Sequence, residues 1–251
     1  MPFTPAHPLA VLPWWRTRLP LSALVVGSMV PDVPVFSRSA DTYALTHGPL
    51  GIVTIDVVLG VAALVLWFVV LREPLADLAP GPVRARVEPR ARLARSRWPW
   101  VVPAIVVGAL THVAWDEMTH PGRWGARHVA WLAELHGPMA GALWLQYTSG
   151  VVGTLAVVAV ALRVVLRRPA RSRGPRLLPG GTAYGMAVVA VAVGLASVVA
   201  HRDDGLLSMA FFGVVHSMVT GAAAVAGVAA LWHVVARARQ GREKRQRGLG
   251  G

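Results

Sequence analysis

The chain has 251 residues, of which 55% are hydrophobic and 15% charged, against about 25% charged in an ordinary soluble domain. It carries a formal charge of +13 and no cysteine, which excludes disulfides, thiolate metal sites and cysteine nucleophiles. Several apolar runs approach or exceed the roughly 20 residues that cross a bilayer. The composition therefore predicts an all-α, multi-pass transmembrane helical bundle over residues 1–236, with a basic tail over 237–251.

The first residues do not read as a cleaved signal peptide. No basic stretch precedes an apolar core, and Pro2, Pro5, Pro8 and Pro13 would interrupt one. The apolar segment 19–30, bounded by Pro20 and Pro31, is short for a span. Two arrangements are open. It crosses obliquely as a sixth span, or residues 6–12 and 20–30 form a helical hairpin that places His7 beside Asp32. The hairpin is favoured because the segment is short. Arg16 and Arg18 at its tip argue against deep insertion, because buried arginine is costly.

Five segments are expected to span: roughly 50–71, 98–115, 143–166, 182–200 and 207–235. Trp98, Trp100, Trp115 and Trp144 fall near segment ends, where an interfacial aromatic belt would put them. Between the spans, the 72–97 loop holds Arg72, Arg84, Arg86, Arg90, Arg92, Arg95 and Arg97, and is expected to be mobile. The 163–176 loop and the tail are similarly basic, whereas the alternate loops hold only Arg38, Arg123, Arg127 and Arg202. The positive-inside rule then places 72–97, 163–176 and the C-terminus on the cytoplasmic side of the cell membrane. The basic charge is read as topology, and no nucleic-acid partner is expected.

Polar residues sort to the opposite face. Seven of the nine histidines lie on or near it. The sharpest element is His112-Val-Ala-Trp-Asp116-Glu-Met-Thr119-His120-Pro-Gly122, where His112 and Asp116 share one helix face and can reach one ion. Val30-Pro31-Asp32 puts a carboxylate after one apolar segment, and Thr46-His47-Gly48-Pro49 puts an imidazole before the next. Asp56 lies about two turns inside a span, where a carboxylate is expensive unless paired or solvated. It is expected either to hydrogen-bond a neighbouring helix or to orient a ligand histidine from behind. His136 opens another helix in His-Gly-Pro-Met-Ala-Gly, much as His47 does in His-Gly-Pro-Leu-Gly. No Gly-rich phosphate loop and no Gly-x-Ser-x-Gly elbow is present.

The opening Met-Pro-Phe-Thr-Pro-Ala-His7-Pro-Leu-Ala-Val-Leu-Pro, continued by Leu-Pro-Leu-Ser-Ala-Leu-Val-Val-Gly-Ser-Met-Val-Pro-Asp32, resembles an uncharacterised bacterial membrane family, domain of unknown function 4184. More distantly the chain is similar to inner-membrane metal-dependent hydrolases of the YdjM type, which share a pattern with zinc-dependent phospholipase C. That resemblance implies metal ligands at His7, Asp32, His47, His112 and Asp116, with Thr119 and Gly122 completing the pattern. The sequence departs from the hydrolases after the Pro-Asp element. Their Asp-x-Asp-His is replaced by Asp32-Val-Pro-Val, and Tyr43 stands near where a further histidine is usual.

Three functions are open at this level. The leading one is a metal-dependent hydrolase, with zinc or else manganese or iron, acting on a lipid-linked or amphipathic ester or phosphoester. Its catalytic groups would be His120 and His136. The others are an ion- or proton-coupled transporter and a non-catalytic membrane scaffold or lipid-binding protein. The lipid bilayer is the expected environment of all three.

Overall fold

A computed structural model describes residues 4–37 and 40–248; Arg38 lies outside them. The chain begins with a 3-10 segment Thr4–Trp14, α1 Leu21–Gly27, a second 3-10 segment Val30–Ser37, and the short helices α2 Ala40–Thr46 and α3 Pro49–Val53. Next come α4 Ile55–Leu66, a π turn Trp67–Leu71, α5 Arg72–Leu78 and α6 Gly81–Arg84. A 3-10 turn Arg95–Trp100 leads into α7 Val101–Thr119, α8 Trp124–His128 and α9 Ala130–Ala133. A two-stranded antiparallel ribbon follows, β1 Leu135–His136 on β2 Met139–Ala140. The last elements are α10 Gly141–Leu166, α11 Thr182–Ala200, a 3-10 turn Arg202–Asp204 and α12 Leu206–Gly248.

Among the described residues, five stretches are long and apolar enough to cross a bilayer: Pro49–Leu78, Arg95–His128, Gly141–Leu166, Thr182–Ala200 and Leu206–Gln246. Each contains one predicted span. Their apolar side chains face outward. Val58, Val65 and Val69 on the first span are all more than half exposed, as a helix surrounded by lipid requires. The buried positions of α7 are Ala104, Ile105, Gly108, Ala109, His112, Asp116 and Thr119, a three-and-four spacing that defines one inward face. The chain is thus an all-α, multi-pass membrane protein.

It divides into two compact units, residues 1–65 with 92–164 and residues 66–91 with 165–251. In the first, α1 packs on α7 through glycine. A Cβ on Gly27 would strike the backbone of Ile105, and one on Gly108 would strike the backbone of Leu24 and Gly27. This close approach puts Ser28 against α7 and lets its carbonyl reach His112. The N-terminal segment returns along α1 as a hairpin. Thr4 Oγ1 donates to Asp32 Oδ2 at 2.7 Å at one end, and Arg97 donates to Thr17 O at 2.7 Å near the tip. The hairpin therefore runs from the His-rich end of α7 to its arginine-bearing start, deeper than its length in residues suggests. A 3-10 segment rises about 2.0 Å per residue against about 1.5 Å for an α-helix, and the tip arginines are carried to the basic end.

In the second unit the 72–91 and 165–176 stretches are tied together. Asp77 Oδ1 accepts from Arg84 Nε and Nη2 at 3.1 and 2.8 Å, while its Oδ2 accepts from Leu177 N and Trp232 Nε1, both at 3.0 Å. Arg86 donates to Arg168 O at 3.0 Å, Arg171 N to Ala85 O at 2.8 Å, and Arg176 to the Asp77 carbonyl. These hydrogen bonds lie within the part of the 72–97 stretch that belongs to this unit. Leu78, Leu178 and Trp232 form the apolar core beside this node.

Candidate metal centre

Three elements deliver the site. The second 3-10 segment carries Asp32, and the end of α2 carries Thr46 and then His47. The inward face of α7 carries His112 and, one turn on, Asp116. Asp32, His47, His112 and Asp116 are all buried, and one ligand atom from each lies within 4.8 Å of every other. His112 Nε2 is 3.4 Å from Asp32 Oδ1 and 3.5 Å from Asp116 Oδ2, and His47 Nε2 is 3.4 Å from Asp116 Oδ2.

Those distances exceed the roughly 2.7–3.2 Å of an N–H···O hydrogen bond, and neither Nε2 has a hydrogen-bond partner. The other ring nitrogens are engaged. His47 Nδ1 lies 2.9 Å from Tyr43 O, and His112 Nδ1 lies 2.9 Å from Ser28 O. A carbonyl only accepts, so each Nδ1 carries a proton, and in the neutral ring, the form that binds a metal, each Nε2 presents a lone pair to the carboxylates. Lone pairs converging in a buried space repel unless a cation lies among them. Ligands at about 2.0–2.1 Å around a tetrahedral zinc stand about 3.3–3.4 Å apart, close to the spacing here. Carbonyls holding the far nitrogens of ligand histidines are the usual outer support of such a site.

Three further sequence candidates, His7, His120 and Thr119, lie around this set. His7 is buried and stacks on His112 with ring centroids 3.8 Å apart. Its Nε2 is 3.8 Å from Asp116 Oδ1, and its Nδ1 has no hydrogen-bond partner. It belongs to the rim of the four-residue set, not to its tightest convergence. Burial and the neighbouring His112 lower its pKa from 6.5 to about 4, so it is a neutral imidazole at neutral pH. His120 Nδ1 is 3.4 Å from Asp116 Oδ1 and 3.3 Å from Thr119 Oγ1, and its Nε2 is 2.8 Å from the Gln146 amide nitrogen. Thr119 donates to Trp115 O at 3.1 Å.

Asp56 and His136 lie apart from these roles. The places behind His47 and His112 are taken by the carbonyls of Tyr43 and Ser28, so Asp56 does not orient either histidine. Its carboxylate is fully buried with no hydrogen-bond partner for either oxygen. His136 sits in the β1 strand, stacked on Trp131, with Nε2 2.8 Å from Trp131 O. It does not line the cavity at the cluster.

Sequence reasoning did not single out Thr4, Ser28 or Gln146, and it noted Tyr43 only as a substitute. Thr4 holds Asp32, Ser28 and Tyr43 act through backbone carbonyls, and Gln146 comes from a distant span. Tyr43 also places its hydroxyl 3.4 Å from Asp116 Oδ2, and burial followed by the Asp116 charge pushes its pKa up. A carbonyl has no sequence signature. Gln146, an amide in an apolar helix, was the signal available.

A cavity of about 190 Å³ opens beside the cluster, between the N-terminal segment, α7 and α10, with His7, Asp32, Asp116 and His120 on its wall.

Fold and site together define a multi-pass helical membrane protein with a buried two-histidine, two-carboxylate cluster where its segments end. The chain belongs to the family described as Domain of unknown function (DUF4184), which matches residues 1–237. No curated protein and no solved structure matches it.

Proposed function

We propose that the protein is a membrane-embedded metal-dependent hydrolase that cleaves a lipid-linked or amphipathic ester or phosphoester at the non-cytoplasmic face. The observation that carries this reading is the pair of imidazole Nε2 atoms, buried without hydrogen-bond partners and facing two carboxylates at 3.4–3.5 Å. A two-nitrogen, two-oxygen donor set suits zinc, with manganese or iron as alternatives. A divalent ion there would polarise a substrate oxygen and make water a usable nucleophile near neutral pH.

The chain supplies the rest. Asp32, His47, His112 and Asp116 would hold one ion, in keeping with the loss of the second acid and histidine from the hydrolase pattern. His120 lines the cavity within reach of Asp116 and is the group placed to protonate a leaving oxygen. The acid role needs the doubly protonated ring, in which Nδ1 faces Asp116 and Nε2 faces the Gln146 amide, turned to present its oxygen. Thr119 supports that ring. His136, committed to Trp131, takes no part. His7 stands at the junction of cluster and cavity, as a further ligand or as a neutral wall.

The test is hydrolysis of a synthetic phosphodiester amphiphile by purified protein. Chelation should abolish turnover and zinc should restore it. His120→Ala should lower kcat by about 10²–10⁴-fold while leaving bound metal unchanged. Turnover that survives chelation would contradict the proposal. A second reading, an ion- or proton-coupled path, is favoured by one observation, the buried unpartnered Asp56 carboxylate. Proton or cation flux in liposomes that is lost in Asp56→Asn would support it.

A further inference from the structure

The cavity at the cluster has a direction. On α10 its wall is Gln146, Ser149, Gly150 and Gly153, a three-and-four spacing that makes one helix face. From Gln146 to Gly153 that face runs about 10 Å along the helix. Gln146 meets His120 at the polar end, and beyond it the face is reduced to a hydroxyl and two glycines. The opposite wall is Ala6, Leu9 and Ala10 of the N-terminal segment, which runs away from the cluster. A Cβ on Gly153 would come 2.9 Å from the Ala6 Cβ, so the walls close together there. Leu9 and Trp115, both on the rim, are 36% and 40% exposed, which gives the cavity an apolar margin.

We propose that this groove seats a single alkyl or acyl chain of an amphiphile whose phosphate head lies at the four-residue cluster. The proposal rests on the metal-site reading above and assigns it a substrate class, single-chain phosphate-headed lipids. A cavity of about 190 Å³ lies below the roughly 300–1,000 Å³ of a drug-sized pocket, and the close approach of its walls at Gly153 and Ala6 favours one chain over two. Asp32 and Asp116 together neutralise a divalent ion. The head is therefore held by its oxygen donors, and the chain supplies most of the affinity. Two positions control the seat without touching the cluster: Gly150, facing the middle of the groove, and Ala10, on the exposed opposite wall.

The experiment is calorimetric titration of zinc-loaded protein in nanodiscs with butyl, octyl and dodecyl phosphate, repeated on metal-free protein. Affinity, corrected for partitioning into empty nanodiscs, should rise roughly tenfold or more from butyl to octyl. Gly150→Leu and Ala10→Phe should each flatten that rise while leaving bound zinc and butyl phosphate affinity unchanged. Ala10 is exposed, so its variant keeps the test usable where Gly150→Leu disturbs folding. In metal-free protein the chain dependence should persist at lower affinity. A flat chain-length series in wild-type protein overturns the groove, as does a steep one that survives both substitutions, whatever the metal does. Loss of metal binding or turnover with the chain dependence intact overturns the hydrolase reading alone.

Discussion

His7 illustrates how burial sets chemistry at a single residue. Its pKa is lowered from 6.5 to about 4 by burial first and by His112 second. In the metal-free protein the unfolded chain therefore takes up a proton that the folded one refuses. Stability is complete above about 6.5 and falls as pH drops toward about 4, by roughly 3 kcal/mol in all. Hydrogen exchange of residues 4–14 should be faster at pH 5 than at pH 7 after correction for intrinsic rates. Equal protection at both would show that His7 is not held neutral. Residue identity made much of this site readable. Asp32, His47, His112 and Asp116 were legible as ligand types at helix ends, and the i, i+4 pair placed two of them on one face. The orientation of the histidines was not legible, because it comes from the carbonyls of Ser28 and Tyr43, which any residue would supply.

At the scale of elements, the position of α1 against α7 decides whether Ser28 reaches His112. That approach depends on two glycines, Gly27 and Gly108, whose missing side chains let one backbone lie on the other. Gly27→Val would press a side chain into the Ile105 backbone, which cannot give way as a flexible side chain would. We expect destabilisation of about 1–3 kcal/mol, a lower melting temperature and weaker metal binding, because the Ser28 carbonyl is displaced from His112. An unchanged melting temperature would mean that the helices are not in contact there. The five spans were legible from apolar length alone. The hairpin was legible as the favoured of two arrangements, but its depth was not. A 3-10 segment covers more distance per residue than an α-helix, and no composition rule announces that a proline-rich stretch will adopt it. The tie between the arginine-rich stretches was equally hidden, since it depends on Asp77, one acid among many arginines.

At the scale of the whole molecule, the charge pattern and the cluster must agree on which side of the membrane is which. Five stretches are long and apolar enough to span, and from the positive-inside rule we propose that the basic stretches are cytoplasmic. A reporter fused after Gly251 that functions only in the cytoplasm should be active, and one placed in the 116–142 stretch should not. The reverse would put the cluster on the inner face. The central claim is that the four buried groups hold a metal ion. Elemental analysis of detergent-purified protein tests it most directly, with His112→Ala and Asp116→Ala alongside. The account predicts close to one equivalent of zinc, or of manganese or iron, in wild-type protein. Each variant should hold well below one equivalent while still inserting in the membrane, because neither change touches an apolar span face. Wild-type protein that binds no metal after zinc loading, or variants that retain a full equivalent, would contradict it.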